Sequence, residues 1–134
     1  MKKFLLKHLD LKKRKSLIQN NLYYYRAIVK RIIDGDTIVV DIDCGFDSWL
    51  HNISVRFNGI NAPETKGESK VKGLESKDFV KSKIEDKEII IRTTKSDKYG
   101  RLLANIYYLE DDKYIHLNQQ LITEGLAIPY MVEE

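Results

Sequence analysis

The sequence predicts an α+β fold that is mainly β: a five-stranded barrel with two helices and an extra N-terminal helix. Three observations predict it. Five short runs rich in Val, Ile, Tyr and Phe are separated by turns containing Gly, Asp or Pro. One helix-forming window falls after the third run and another after the fifth. A Lys- and Leu-rich segment without Gly or Pro precedes the first run.

In chain order, Phe4, Leu11, Ile18 and Leu22 recur at near-helical spacing, a narrow stripe that predicts a helix over residues 1–20. Residues 1–22 therefore read as a basic helical extension and residues 23–134 as the barrel domain. Tyr23 to Ile33 reads as the first strand and Thr37 to Ile42 as the second. The Asp34-Gly35-Asp36 turn between them makes residues 25–43 a hairpin. Cys44 to Asn52 reads as a loop, with Trp49 expected as buried packing and Phe46 beside it. Ile53 to Phe57 alternates as a third strand, and Asn58 to Gly67 is a loop. Glu68 to Ile84 is the stronger helix window. Glu88 to Thr93 and Leu102 to Leu109 are the fourth and fifth strands. Leu117 to Glu124 is a short helix, with Gly125 placed to end it. Three strands, a helix, two strands and a helix suit a partly open barrel of the OB type. Segregation of strands from helices excludes a doubly wound sheet.

At 134 residues the chain is long enough for one domain with its own core. Its single cysteine, Cys44, excludes an intramolecular disulfide framework. No apolar run approaches the roughly 18 residues of a membrane span, so no membrane partner is expected. Phe4-Leu5-Leu6 is shorter than the roughly 7–15 apolar residues of a secretory signal, so a cytoplasmic protein is expected, and a monomer. Lys-, Ile- and Asn-rich usage fits an AT-rich genome such as that of a phage or a low-GC bacterium.

The net charge of +3 is unevenly spread: residues 1–31 hold ten Lys/Arg and one acid, the remainder 13 Lys/Arg and 19 acids. The basic arm can release counterions from phosphates. His8, His51 and His116 have no metal-ligand spacing, which disfavours zinc.

Three segments carry chemistry: Ile33-Asp34-Gly35-Asp36-Thr37, Val55-Arg56-Phe57-Asn58-Gly59-Ile60-Asn61-Ala62-Pro63-Glu64-Thr65, and Asp97-Lys98-Tyr99-Gly100-Arg101. Hydrolysis of a phosphodiester needs neutralisation of a crowded dianionic transition state and an activated water. A carboxylate after a tight turn, Asp36, can help hold a hard cation through oxygen. Arg56 and Arg101 offer forks for one phosphate. Glu64, beside a stiffening proline, can serve as a general base.

These segments, in this order and followed by Gly125-Leu126-Ala127, resemble the thermonuclease (staphylococcal nuclease-like) family from about Tyr25 to Tyr130. The resemblance implies an OB-fold barrel of that type. It implies Ca²⁺-dependent hydrolysis of DNA and RNA, cutting the 5′ P–O bond to leave 3′-phosphates. By the same resemblance Asp36 matches a Ca²⁺ ligand, Asn61 falls where a second ligating Asp is usual, and Ala62 falls where a backbone carbonyl ligates. Glu64 matches the general base, and Arg56 and Arg101 match the phosphate-binding arginines. Tyr99 borders the nucleotide site with Lys98, and Tyr130 supplies one further aromatic. A sugar-blind phosphate clamp predicts broad action, preferably on single or frayed strands.

Asn61 is the main departure, because it removes one formal charge from the ligand set and predicts weaker Ca²⁺ binding. A second expectation is that the N-terminal helix covers the barrel where relatives carry a C-terminal helix. The alternative function is a nucleic-acid-binding barrel that has lost catalysis through Asn61.

Overall fold

The computed structural model describes residues 9–96 and 98–131. Helix α1 (Leu11–Asn20) precedes strands β1 (Tyr24–Asp34), β2 (Thr37–Asp43), β3 (Trp49–Phe57) and β4 (Ile60–Asn61). A 3₁₀ turn at Gly67–Ser69 leads into α2 (Lys70–Ile84). Then come β5 (Glu88–Ser96), β6 (Leu102–Glu110), β7 (Lys113–His116), α3 (Leu117–Thr123) and β8 (Ile128–Pro129).

The main sheet runs β3-β2-β1-β5-β6-β7 and closes where β3 pairs parallel with β6, Val55 opposite Leu102 and Arg56 opposite Leu103. Five strands thus make a closed OB-type barrel. Its interior is the inward half of each alternating strand: Ala27 and Val29, Ile38 and Val40, Val55 and Phe57, Ile89 and Ile91, Ala104 and Ile106. Helix α2 adds Val80 and Ile84 to this core, and α3 adds Leu117 and Leu121.

Glycines and polar caps fix how the helices meet the barrel. Gly125 (φ +72°) donates to the Ile122 carbonyl while Leu126 N–H donates to that of Leu121, a Schellman ending for α3. The Ser76 hydroxyl of α2 then donates to the Leu126 carbonyl at 2.6 Å, tying the two helices together. Buried Asn118 donates to the Asn58 and Ala104 carbonyls and accepts from Ile106 N–H, anchoring α3 to the barrel wall.

Three expectations are corrected. Residues 49–52 are strand, since the loop reduces to a tight turn in which Cys44 N–H donates to the Ser48 carbonyl. Phe46 and Asp47 take positive φ there. Trp49 is therefore 37% exposed on the hairpin and stacks on His51 rather than entering the core. The described helix α1 begins at Leu11, with Asp10 capping Lys13 N–H, and buries none of its residues. Leu11 and Ile18 face solvent, so α1 does not cover the barrel, and Phe4 lies outside the described residues. Gly35, in the turn between β1 and β2, is not among the glycines with positive φ. A Cβ there would lie 2.7 Å from that of Ser76 and 2.9 Å from that of Ala62. The Asp-Gly-Asp turn keeps its glycine so that α2 and the β4 loop can approach closely.

Candidate active site

The site lies at the rim where the β1–β2 turn, the end of β3 and the β4 loop meet. Thr37 pairs with Arg56 across β2 and β3, and Phe57 N–H donates to the Asp36 carbonyl at 2.8 Å. This register brings Asp36 and Arg56 together.

Asp36 is 4% exposed, so its carboxylate is buried at the rim rather than open to solvent. Its Oδ2 accepts from Ala62 N–H at 2.8 Å and lies 3.1 Å from Arg56 Nη1. Its Oδ1 accepts from the Thr37 hydroxyl at 3.0 Å. Burial pushes the carboxyl up. Hydrogen bonding with Asp34 and from Ala62, the Arg56 charge and the Thr37 hydroxyl outweigh that and hold it below the ordinary value.

Asp34 is a site residue that the sequence reading left as a plain turn residue. Its Oδ1 accepts from Asp36 N–H at 3.1 Å. Burial first, then the neighbouring Asp36 carboxylate, push its pKa to about 6. The signal was the Asp-Gly-Asp spacing itself, which sets two carboxyls on one tight turn. Two carboxyls this close cannot both ionise freely in a partly dry site.

Arg56 is nearly as buried as Asp36. Beyond its ion pair, Nη2 donates to the Ile60 carbonyl at 3.1 Å and to Asn61 Oδ1 at 3.2 Å. The Tyr130 ring lies over its guanidinium, 5.6 Å from Cζ to the centroid. Tyr130 is held there by its N–H, which donates to the Gly59 carbonyl, and by the short β4–β8 ladder. Arg56 therefore joins Asp36, Asn61 and Tyr130 into one cluster.

Glu64 is exposed, two residues beyond Ala62, and its carboxylate has no hydrogen bond or ion pair among the described residues. Its backbone is firmly seated, because the Ser69 hydroxyl donates to the Glu64 carbonyl at 3.0 Å. Gly73 of α2 presses on the same peptide: a Cβ there would overlap the Glu64 carbonyl and lie 2.8 Å from Thr65 N. Gly73→Ala is expected to cost about 1–3 kcal/mol through overpacking and to shift Glu64. Urea unfolding and activity measured on the same sample check both.

Arg101 precedes β6 on the strand next to Arg56 and lies over the Tyr99 ring, 5.4 Å from Cζ to the centroid. Tyr99 is 72% exposed, and Lys98 lies 5.3 Å from the centre of the same ring. These three sit on the β5–β6 turn, apart from the Asp36–Arg56 contacts. The structure thus unites Asp36, Arg56, Asn61, Ala62 and Tyr130 through direct contacts, and sets Lys98, Tyr99 and Arg101 as a second group on the neighbouring turn.

A small cleft of about 240 Å³ opens beside Asn61, Ala62 and Pro63, lined also by Lys72 and Gly125 to Ile128. Among the described residues no three His, Cys, Asp or Glu side chains converge as a metal-binding group. The available donors are instead the Asp36 carboxylate, the Asn61 amide oxygen and the Ala62 carbonyl, an all-oxygen set that suits a hard cation completed by water. The crowded Asp34–Asp36 pair favours a cation in the same way. The residues fit such an ion.

Fold and site together define an OB barrel with a carboxylate–arginine cluster at its rim. The chain belongs to the staphylococcal nuclease homologue family, whose model matches residues 54–134. It is 37% identical to a thermonuclease of Staphylococcus intermedius over 75% of this chain and 56% of that protein. It is 34% identical to a thermonuclease of Staphylococcus hyicus over 77% and 57%. A protein named uncharacterized endonuclease in Escherichia coli is 32% identical over 76% and 59%. The chain thus spans somewhat over half the length of these relatives. Among the described residues no helix is long and apolar enough to cross a membrane.

Proposed function

We propose that this chain is a Ca²⁺-dependent nuclease that hydrolyses phosphodiester bonds of DNA and RNA at the 5′ P–O bond and leaves 3′-phosphates. The observation that carries this reading is the Arg56 guanidinium tied at once to the Asp36 carboxylate and the Asn61 amide oxygen, with an exposed Glu64 carboxylate that has no partner among the described residues. Names of the relatives, thermonuclease and endonuclease, support it.

Asp36, Asn61 and the Ala62 carbonyl would hold the cation. When bound, Ca²⁺ supplies neutralisation of charge on the phosphate oxygens. Glu64 accepts a proton from the attacking water, and its exposure leaves the carboxylate accessible to that water. Arg56, already fixed by Asp36 and the Ile60 carbonyl, needs little reorganisation to donate to the phosphate as charge develops. Arg101 approaches from the neighbouring strand end. Tyr99, Tyr130 and Lys98 border the nucleotide, through ring stacking and a cationic contact.

Release of acid-soluble nucleotides from denatured DNA in millimolar Ca²⁺, compared with EGTA, tests the proposal. Ca²⁺-dependent release supports it. Retained DNA binding with no release at any Ca²⁺ level overturns it in favour of a binding barrel. Asn61→Asp is expected to lower the half-saturating Ca²⁺ concentration, because it restores a ligand charge. A Ca²⁺ titration of activity reads the shift.

A further inference from the structure

The site is flanked on its other side by a larger open groove of about 750 Å³, within the range of ligand-sized clefts, roughly 300–1,000 Å³. Arg31, Thr37, Val39, Asn52, Ser54 and Arg101 line it, on the outer face of β1, β2 and β3. Two of these residues belong to the site already described. The Thr37 hydroxyl donates to Asp36, and Arg101 lines the groove as well.

Arg31 reaches this face because of a β-bulge. Register on β1 shifts between Val29, opposite Val40, and Arg31, opposite Val39. Strict alternation after buried Val29 would send Lys30 out and Arg31 into the core. The extra residue instead turns both outward and returns Ile32 to the interior. Lys30 then pairs with Asp41 at 3.7 Å, whereas Arg31 has no ion pair or hydrogen bond among the described residues. The bulge therefore gives up ladder regularity and presents an unpaired guanidinium to the groove.

Charge around the groove is positive. The acid on the same face, Asp41, is occupied by Asn52 N–H at 2.9 Å, His51 at 3.1 Å and Lys30 at 3.7 Å. Asp36 is held by Arg56. Hydroxyl and amide groups of Thr37, Ser54 and Asn52 lie between the two arginines, and Val39 and half-exposed Ile33 complete the lining. Two guanidinium groups joined by neutral polar groups over an apolar floor match a sugar–phosphate chain with unpaired bases.

We propose that this groove holds the continuation of a single-stranded polynucleotide beyond the scissile phosphate, with Arg31 binding a phosphate next to the one at Arg101. This subsite rests on the nucleic-acid reading above and makes the preferred substrate an oligonucleotide rather than a dinucleotide.

The test is fluorescence anisotropy of a labelled 12-nucleotide oligothymidylate and a labelled dinucleotide, in EDTA, with the full chain. Arg31→Gln is expected to weaken 12-mer binding roughly 5-fold, the upper end for one exposed charge contact, and to leave the dinucleotide unchanged. The salt slope of 12-mer binding should fall by about 0.7, the value for one single-strand phosphate contact. Ile33→Glu, a carboxylate on the groove floor, should weaken the 12-mer more. Unchanged 12-mer affinity and slope in both variants overturns the proposal, as does equal weakening of both ligands. Cleavage in Ca²⁺ is scored separately. No cleavage, with Arg31-dependent binding of the 12-mer, removes the nuclease reading and supports the groove. Cleavage without Arg31-dependent binding removes the groove and leaves the nuclease.

Discussion

Glu64→Gln is expected to lower kcat by about 10²–10⁴-fold, the usual contribution of a positioned general base. Folding should be untouched. Glu64 is exposed and its carboxylate has no partner among the described residues, so the amide loses no contact and creates no buried unsatisfied group. The substitution therefore separates chemistry from structure. Single-turnover rates on a short labelled oligonucleotide, with the urea midpoint measured alongside, read both. Retention of more than about a tenth of the wild-type rate would remove Glu64 from the role of base, given the size of that usual contribution.

Arg56→Ala is expected to abolish detectable cleavage and also to destabilise the fold by about 3–5 kcal/mol, because it strands a buried carboxylate. Asp36 would keep the Ala62 N–H and Thr37 hydroxyl and lose its only ion pair among the described residues. Arg56→Lys should recover part of the stability, since an ammonium restores the charge, but not the activity. One ammonium cannot reproduce contacts to Asp36, the Ile60 carbonyl and Asn61 together. Urea unfolding of the three proteins gives the stabilities from their midpoints and slopes. Equal midpoints in wild type and Arg56→Ala would show that Asp36 is not held by this pair.

The two predictions differ because the two residues were legible in different ways. Strands β1, β2, β5 and β6 and both barrel helices could be read from β-rich or helix-forming runs bounded by turn residues, since these signals are local in sequence. Residues 49–52 were misread because Asp47 and Ser48 look like loop, while the tight turn needs only Cys44 to Ser48. The stripe on α1 suggested a docked helix, but a four-residue apolar stripe says nothing about whether a partner surface exists. Strand β7 went unread because it is four residues long and follows a two-residue turn.

At the site, residue types and their placement made Asp36, Arg56, Glu64 and Arg101 visible, and the family resemblance added Asn61. Their partners were not visible, because each depends on cross-strand register. Burial of Asp36 follows from Ala62 folding back onto it, a contact between residues 26 positions apart. Gly35 and Gly73 could be seen only as irregularities. One reads as an ordinary turn glycine and the other as a weak helix residue, until α2 is placed against both peptides. The bulge at Lys30 and Arg31 leaves no composition signal, so Arg31 reads as one more basic residue in the N-terminal third.

The parallel β3–β6 seam also sets the order in which the molecule becomes competent. Hairpins such as β1–β2 and β2–β3 join neighbouring segments and can form on microsecond timescales. The seam joins segments on opposite sides of α2 and β5, so its loop-closure entropy must be met before any of its bonds form. Arg56 and Arg101 become neighbours only through that seam. A nascent or partly unfolded chain that has built its hairpins but not yet closed carries both arginines and no assembled centre. The candidate site is thereby complete only once the barrel has closed.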